Sequence, residues 1–275
     1  MNASVSTWSV HHLLETGSLT PEGFIDLVFE NGIKMIEVVD FDFPNPDFSF
    51  MVKFKDKAEK KGITISCMSI EHDLCRLTEE EREADIKKVK DWIVLSENIA
   101  VKKVRIFTGR HKPSIPYSMQ MEWVYKGISK IAEEAERLDV DLVLENHNDV
   151  CLGADEILEL FRRINSKKLF TCPDIFNYKI MAAKNKPVID EWGYREIEKL
   201  LPFARNAHLK ICEAVDNNRG DKFLDLERVL RQMKAHNYNG PVALEFMWPY
   251  ILDNQQQYTG LKNAMQVLVY QINRL

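Results

Sequence analysis

In the second half of the chain, four polar side chains each close a short apolar run: Glu145 in DLVLENH, Asp174 in KLFTCPD, His208 in NAHLKI and Glu245 in VALEF. The intervals are 29, 34 and 37 residues (145 to 174, 174 to 208, 208 to 245), each about the ~30 residues of one strand–helix unit. Three carboxylates and an imidazole delivered by successive parallel strands converge on one place. Burying acids side by side is costly unless a cation neutralises them. Oxygen ligands with one neutral imidazole nitrogen suit Mn²⁺, Mg²⁺, Co²⁺ or Zn²⁺. The absence of cysteine from the set argues against a structural zinc site. The competing reading is a buried ion-pair cluster in which Lys210 and Arg105 supply the counter-charges.

Such a site requires strands that end side by side. Eight apolar runs fit: residues 4–10, 33–39, 63–69, 102–107, 140–145, 169–174, 205–211 and 241–246. Between them, stretches such as 78–98 and 119–138 repeat apolar residues at three and four. Helix period between strand runs implies a parallel sheet with crossover helices. Eight such units in 275 residues predict an α/β fold, a (β/α)8 TIM barrel, as one domain over 1–275. A doubly wound sheet normally carries a Gly-rich first turn, which is absent here. Thr20-Pro21-Glu22 and Thr78-Glu79-Glu80-Glu81 read as helix starts, and Gly62 follows a Lys-rich helix end. The longest irregular stretches, 70–77, 108–118, 175–187, 212–222 and 247–255, all follow strands. They therefore gather at the C-terminal face, where barrel enzymes keep their chemistry.

Side chains alternate along a strand, so positions two apart share a face. That rule turns Val143 and Glu145 inward, with Phe170, Cys172 and Asp174, then Asn206, His208 and Lys210, then Ala243 and Glu245. Leu142, Leu144, Leu169, Val242 and Leu244 then face the helices. All four candidate ligands come out on the interior face.

Other residues are placed to touch a substrate. His147 lies two positions beyond Glu145 and is suited to bond a hydroxyl or act as a base near neutral pH. Arg105 ends its strand where it can hold a substrate oxygen or orient Glu145. Glu37 and His72 project toward the same mouth. Lys210 and Asn177 either contact substrate or support the ligands. Trp8, Phe107 and Trp248 stand near strand ends, either as plain core or as an apolar wall for the CH face of a sugar. His11, His12, His111 and His236 lack an arranged partner and read as surface or loop residues. A phosphate subsite in a barrel sits after strands seven and eight on a Gly-rich turn. Only Arg219, Gly220 and Lys222 point that way, so an unphosphorylated substrate is favoured.

Composition narrows the class further. The chain is 45% hydrophobic and 29% charged, as ordinary globular proteins are. The net charge of −5 gives no sign of a nucleic-acid partner. No apolar run approaches the ~18–20 residues that cross a bilayer, and the N-terminus does not read as a secretory signal. Five cysteines without a CxxC pair favour reduced thiols and a cytoplasmic setting. A small molecule is the expected partner, with homo-oligomerisation left open.

The phrases LVLENH, CPDIFNY, HLKI and GPVALEF resemble the strand ends of the xylose isomerase-like superfamily of sugar isomerases and epimerases. GIKMIEVVD and DWIVLSENIAVKKVRIFTG extend the resemblance into the N-terminal half, so it covers nearly the whole chain. It implies metal ligation by Glu145, Asp174, His208 and Glu245, with Glu145 and Glu245 also moving protons on opposite faces of the substrate. Two positions depart from the pattern: Asn206 replaces the first histidine of HxHxK, and Phe176 replaces the glycine of DxGN. The expected activity is a divalent-metal-dependent isomerase or epimerase of a sugar or sugar derivative, working by proton transfer through an enediolate. The alternative is a dehydratase of a keto-polyol, related to inosose and dehydroshikimate dehydratases, with His147 as base. An apurinic-site endonuclease of related fold needs more metal-binding histidines and a basic groove. A non-catalytic sugar-binding barrel is disfavoured by the intact ligand set.

Overall fold

The computed structural model describes residues 1–43, 47–147, 150–182, 186–247 and 254–275. Eight strands form one parallel sheet: β1 (Asn2–Ser6), β2 (Met35–Val39), β3 (Thr64–Ser69), β4 (Lys103–Ile106), β5 (Asp141–Glu145), β6 (Leu169–Cys172), β7 (Ala207–Ile211) and β8 (Pro241–Phe246). Neighbours in sequence are neighbours in the sheet, and β1 pairs with β8. Two parallel bridges, Thr171 with Ala204 and Asp174 with His208, join the β6 and β7 edges and close the ring. The expected barrel is therefore the observed one.

Each strand is followed by a helix: α1 (Pro21–Glu30), α2 (Phe48–Lys60), α3 (Glu79–Asn98), α4 (Tyr117–Leu138), α5 (Ala154–Ile164), α6 (Glu191–Leu200), α7 (Leu226–Ala235) and α8 (Asn254–Asn273). Their starts follow the sequence signals. Thr78 and Glu81 form a reciprocal capping box, and the Thr20 hydroxyl accepts from Gly23 N–H at 3.0 Å. Each cap satisfies a donor that the helix cannot, typically worth ~1 kcal/mol.

The strand alternation sorts two cores. Leu142, Leu144, Leu169, Val242 and Leu244 lie in the large cluster shared with the helices. Cys67, Val143 and Cys172, with Phe170 against them, form a separate plug inside the ring. Above that plug the interior turns polar, at Glu37, Glu145, Asp174, Asn206, His208, Lys210 and Glu245, all buried. All five cysteines are buried and unbridged. Among the described residues no helix is long and apolar enough to cross a membrane.

β1 is shorter than its apolar run. It stops at Ser6, and Thr7–Val10 forms a 3-10 turn. The Thr7 hydroxyl accepts from Val39 N–H at 2.9 Å and donates to Asp42, which ties this turn to the end of β2. The irregular stretches also hold small elements: a 3-10 turn at Ile175–Tyr178, and hairpins pairing Ile180–Ala182 with Lys186–Val188 and Ala214–Val215 with Gly220–Asp221. The loop after β4 contains Gly109 at φ +110°, where a Cβ would lie 2.6 Å from Asp73 Oδ1 and 2.7 Å from Leu74 N. Only glycine lets these two loops pack so closely.

Candidate metal centre

Glu145 closes β5, His208 lies in β7 and Glu245 in β8. Asp174 follows β6 as the cap of the 3-10 turn, its Oδ1 accepting from Phe176 N–H at 2.9 Å. One donor atom from each of these four buried residues lies within 4.8 Å of the others. Glu145 and Glu245 line a cavity of ≈ 420 Å³ at the C-terminal mouth of the barrel, and Asp174 and His208 lie buried beside them.

The orientation of His208 is set from behind. Its Nε2 lies 3.0 and 3.1 Å from the two oxygens of Glu37. Glu37 also accepts from Ser69 Oγ–H and Asn206 Nδ2–H, each at 2.8 Å. Burial alone would raise the Glu37 pKa, but His208, Arg105 and Ser69 overcome that and bring it to about 2. An ionised Glu37 places the His208 proton on Nε2. Nδ1 then turns its lone pair toward Glu145 Oε2 at 3.3 Å and Glu245 Oε1 at 3.5 Å, and it makes no hydrogen bond.

Charge accounting points the same way. Four carboxylates (Glu37, Glu145, Asp174, Glu245) and two cations (Arg105, Lys210) are buried here. With His208 neutral, two negative charges remain uncompensated. Burial, together with Glu145 and Glu245, holds the Asp174 pKa above the ordinary carboxylate value even though Lys210 pulls it down. Burial also disfavours charge on His208, yet the surrounding acidic groups raise its pKa well above the usual imidazole value. The cluster favours added positive charge beside Nδ1, and the unpartnered nitrogen facing two carboxylate oxygens is a donor set that fits a divalent cation.

Lys210 bridges the acids without neutralising them all. Its ammonium contacts Asp174 and lies 3.0 Å from Glu245 Oε2, 3.7 Å from Glu145 Oε1 and 3.3 Å from Asn177 Oδ1. Arg105 lies 3.5 Å from Glu145 Oε2, its guanidinium packed 3.9 Å over the Phe107 ring. Arg105 Nε and Nη1 are buried without a hydrogen-bond partner.

Over residues 25–268 the sequence matches the family described as xylose isomerase-like TIM barrel. The chain belongs to the xylose isomerase-like TIM-barrel family. Solved structures agree at the level of fold. A probable 3-DHS dehydratase from Bacillus anthracis superposes with a TM-score of 0.73 at 18% identity, covering 98% of this chain and 99% of that one. A D-psicose 3-epimerase superposes with a TM-score of 0.73 at 17% identity, covering 96% and 97%. A 3-keto-D-glucoside 4-epimerase from E. coli gives 0.68 at 14% identity, covering 92% and 94%. None of the curated proteins matches the chain in sequence.

Within this xylose isomerase-like barrel, the residues singled out from sequence fall into different places. Arg105, His147, Asn177 and Lys210 line the cavity, as do Trp8 and Phe107. The His147 ring packs against Phe107 at 4.7 Å between centroids. Asn177 Nδ2 donates to Glu145 Oε1 at 3.0 Å and to Asn146 O at 2.9 Å, so its amide holds a ligand. Trp248 lies outside the described residues. Asn206, in place of the expected histidine, uses its amide on Glu37 rather than bringing a second imidazole. Lys222 of the loop after β7 is paired with Glu213 at 2.7 Å.

His72 is a correction. It is buried, and its ring nitrogens face the backbone of Ile70 at 3.0 Å and Phe107 at 3.1 Å. It joins the ends of β3 and β4 and does not line the cavity. His11 is a second correction, because it has an arranged partner. Its Nδ1 lies 2.7 Å from Asp42 Oδ1, and its ring stacks on Trp8 at 5.3 Å and meets Phe41 edge-on at 5.2 Å. His12 and His236 sit beside Glu15 and Glu198 at 3.8 and 3.5 Å.

Several contributors escaped the sequence reading, Phe41 and Asn146 among them. Phe41 lines the cavity from a turn that carries no strand pattern. Asn146 donates to Asp174 O at 2.9 Å and accepts from Asp174 N–H at 2.7 Å. A side-chain amide clasping distant backbone leaves no periodic signal, although ENH sits within the quoted motif.

Proposed function

We propose that this protein is a divalent-metal-dependent isomerase or epimerase of a sugar or sugar derivative, a single-barrel enzyme of the cytoplasm. Glu145, Asp174, His208 and Glu245 would hold the ion. The observation that carries the reading is the unpartnered His208 Nδ1, aimed at Glu145 and Glu245 while Nε2 is committed to Glu37. When bound, a divalent ion would polarise the neighbouring oxygens of an α-hydroxycarbonyl and acidify the adjoining C–H.

The chain's own residues supply the rest. Burial opposes ionisation of Glu145, but His208, Lys210 and Arg105 hold its pKa well below the ordinary carboxylate value. It therefore enters the reaction ionised, a proton acceptor steadied by Asn177 at Oε1. Glu245, across His208 from Glu145, takes a proton from solvent and delivers it as the enediolate collapses, while Glu145 releases the abstracted proton to solvent. Arg105, on the cavity wall beside Glu145, would hold a substrate oxygen or orient that carboxylate, and Trp8 with Phe107 gives an apolar wall for a sugar's CH face. The measurement is solvent-deuterium washout at the carbon next to the carbonyl. Glu145→Gln and Glu245→Gln should each abolish it; washout retained in both would overturn the assignment.

His147 favours a second reading, dehydration of a keto-polyol. It lies on the cavity wall two residues past Glu145, placed to take a proton while a hydroxyl leaves. The fold likeness to the probable 3-DHS dehydratase spans 98% of this chain. A new conjugated-carbonyl absorbance on turnover of an inosose, lost in His147→Ala, separates this outcome from isomerisation.

A further inference from the structure

Lys179 was not singled out by its sequence, yet it lines the same cavity from the turn after β6. Its ammonium lies 5.3 Å from the Phe176 ring and makes no salt bridge among the described residues, although the Asp174 charge acts on it. The other charges on the wall are committed. Arg110 pairs with Glu71 at 3.1 Å at the rim, and Lys210 is shared among Asp174, Glu245 and Glu145. Arg105 is only 4% exposed and is held by Glu145 at 3.5 Å.

Resting on the metal-dependent reading above, we infer that the substrate carries a carboxylate, bound by Lys179 on the cavity wall. The argument is one of charge. A divalent cation cancels the two negative charges left over by the buried acids. Among the described residues, Lys179 then stands without a salt-bridge partner on a half-buried wall. A carboxylate closes that balance, whereas a phosphate dianion overshoots it. Burial and the nearby Lys210 lower the Lys179 pKa from the ordinary lysine value, a penalty that a bound anion relieves. A neutral sugar would leave Lys179 without a charged acceptor.

The test is calorimetric, on the Mn²⁺-loaded protein, with three polyol probes: quinate, myo-inositol and sorbitol 6-phosphate. Quinate should bind about 10-fold more tightly than myo-inositol, since a hydrogen bond to a charged group contributes about 1.5–3 kcal/mol. Lys179→Met should erase that advantage without lowering the melting temperature, and Lys179→Arg should restore it. Equal binding of quinate and myo-inositol overturns the inference. A Lys179-dependent gain confined to sorbitol 6-phosphate overturns the carboxylate in favour of a phosphate. Mn²⁺ titrated alone reads the underlying assignment separately: if Mn²⁺ binds and quinate shows no preference, only the subsite falls. If Mn²⁺ does not bind, the functional reading falls and the subsite with it.

Discussion

Glu37 and His208 form the relationship on which the centre turns. A fully buried carboxylate on β2 faces Nε2 of a fully buried imidazole on β7 at 3.0 Å, with each residue at 0% exposure. The pair spans the barrel and fixes which nitrogen faces the acids. Glu37→Gln keeps the size but removes the charge that holds the proton on Nε2. Supporting partners of metal-ligating histidines typically contribute 10–100-fold in metal affinity. A loss of that order is expected for Mn²⁺ by titration calorimetry, with far-UV circular dichroism unchanged. Wild-type affinity in the variant would mean that Glu37 only fills space.

Metal and ion-pair readings of the cluster differ in their response to chelation. Any ligand that binds only the folded state stabilises it by RT ln(1 + [L]/Kd), about 2.7 kcal/mol at 100 times Kd. The melting temperature should therefore rise by several degrees when Mn²⁺ is added to chelator-treated protein, and Glu245→Ala should blunt the rise. A flat response in the wild type would favour an internal ion-pair cluster closed by Lys210 and Arg105.

Much of this was legible in the sequence, for physical reasons. Strand period and strand-end position are local properties, so Glu145, Asp174, His208 and Glu245 could be placed on one interior face before any coordinates existed. Ligand support is not local. Glu37 depends on partners in β3 and β7, and Asn146 on the backbone of Asp174. His72 misled because proximity to a strand end does not say whether a ring turns toward the cavity or toward the backbone. His11 misled because Asp42, its partner, is brought near by the Thr7 turn, which reads as strand in the sequence. Charge compensation is equally invisible, since it depends on which cations remain unpaired after folding.

The His11–Asp42 contact carries a pH dependence whose sign can be worked out. The hydrogen bond that His11 Nδ1–H donates to Asp42 raises the His11 pKa, partly offset by burial and aided by Asp42 and Glu15 charge. A histidine with a raised folded-state pKa adds stability that is fully present below its unfolded value, about 6.5. That contribution is lost as pH rises through the folded-state pKa. The stability advantage of wild type over His11→Phe should therefore shrink on going from pH 6 to pH 9, read as melting temperature. An advantage that stays constant across that range would mean that aromatic stacking with Trp8 and Phe41, not charge, holds the wall.

Lys210 gives the sharpest test of how the acids are shared. Its ammonium touches Asp174 and lies 3.0 Å from Glu245 Oε2, both proposed metal ligands. Removing one partner of a buried ion pair typically costs about 3–5 kcal/mol, because the other charge is left uncompensated. Lys210→Met should therefore destabilise the chelator-treated protein strongly. A divalent ion would return much of that loss, because it supplies positive charge to the same oxygens. The gap in melting temperature between metal-loaded and metal-free protein should be wider in Lys210→Met than in wild type, with Mn²⁺ bound more tightly by the variant. If the gap is unchanged, Lys210 and the ion do not compete for Asp174 and Glu245, and the charge balance drawn from their positions is wrong.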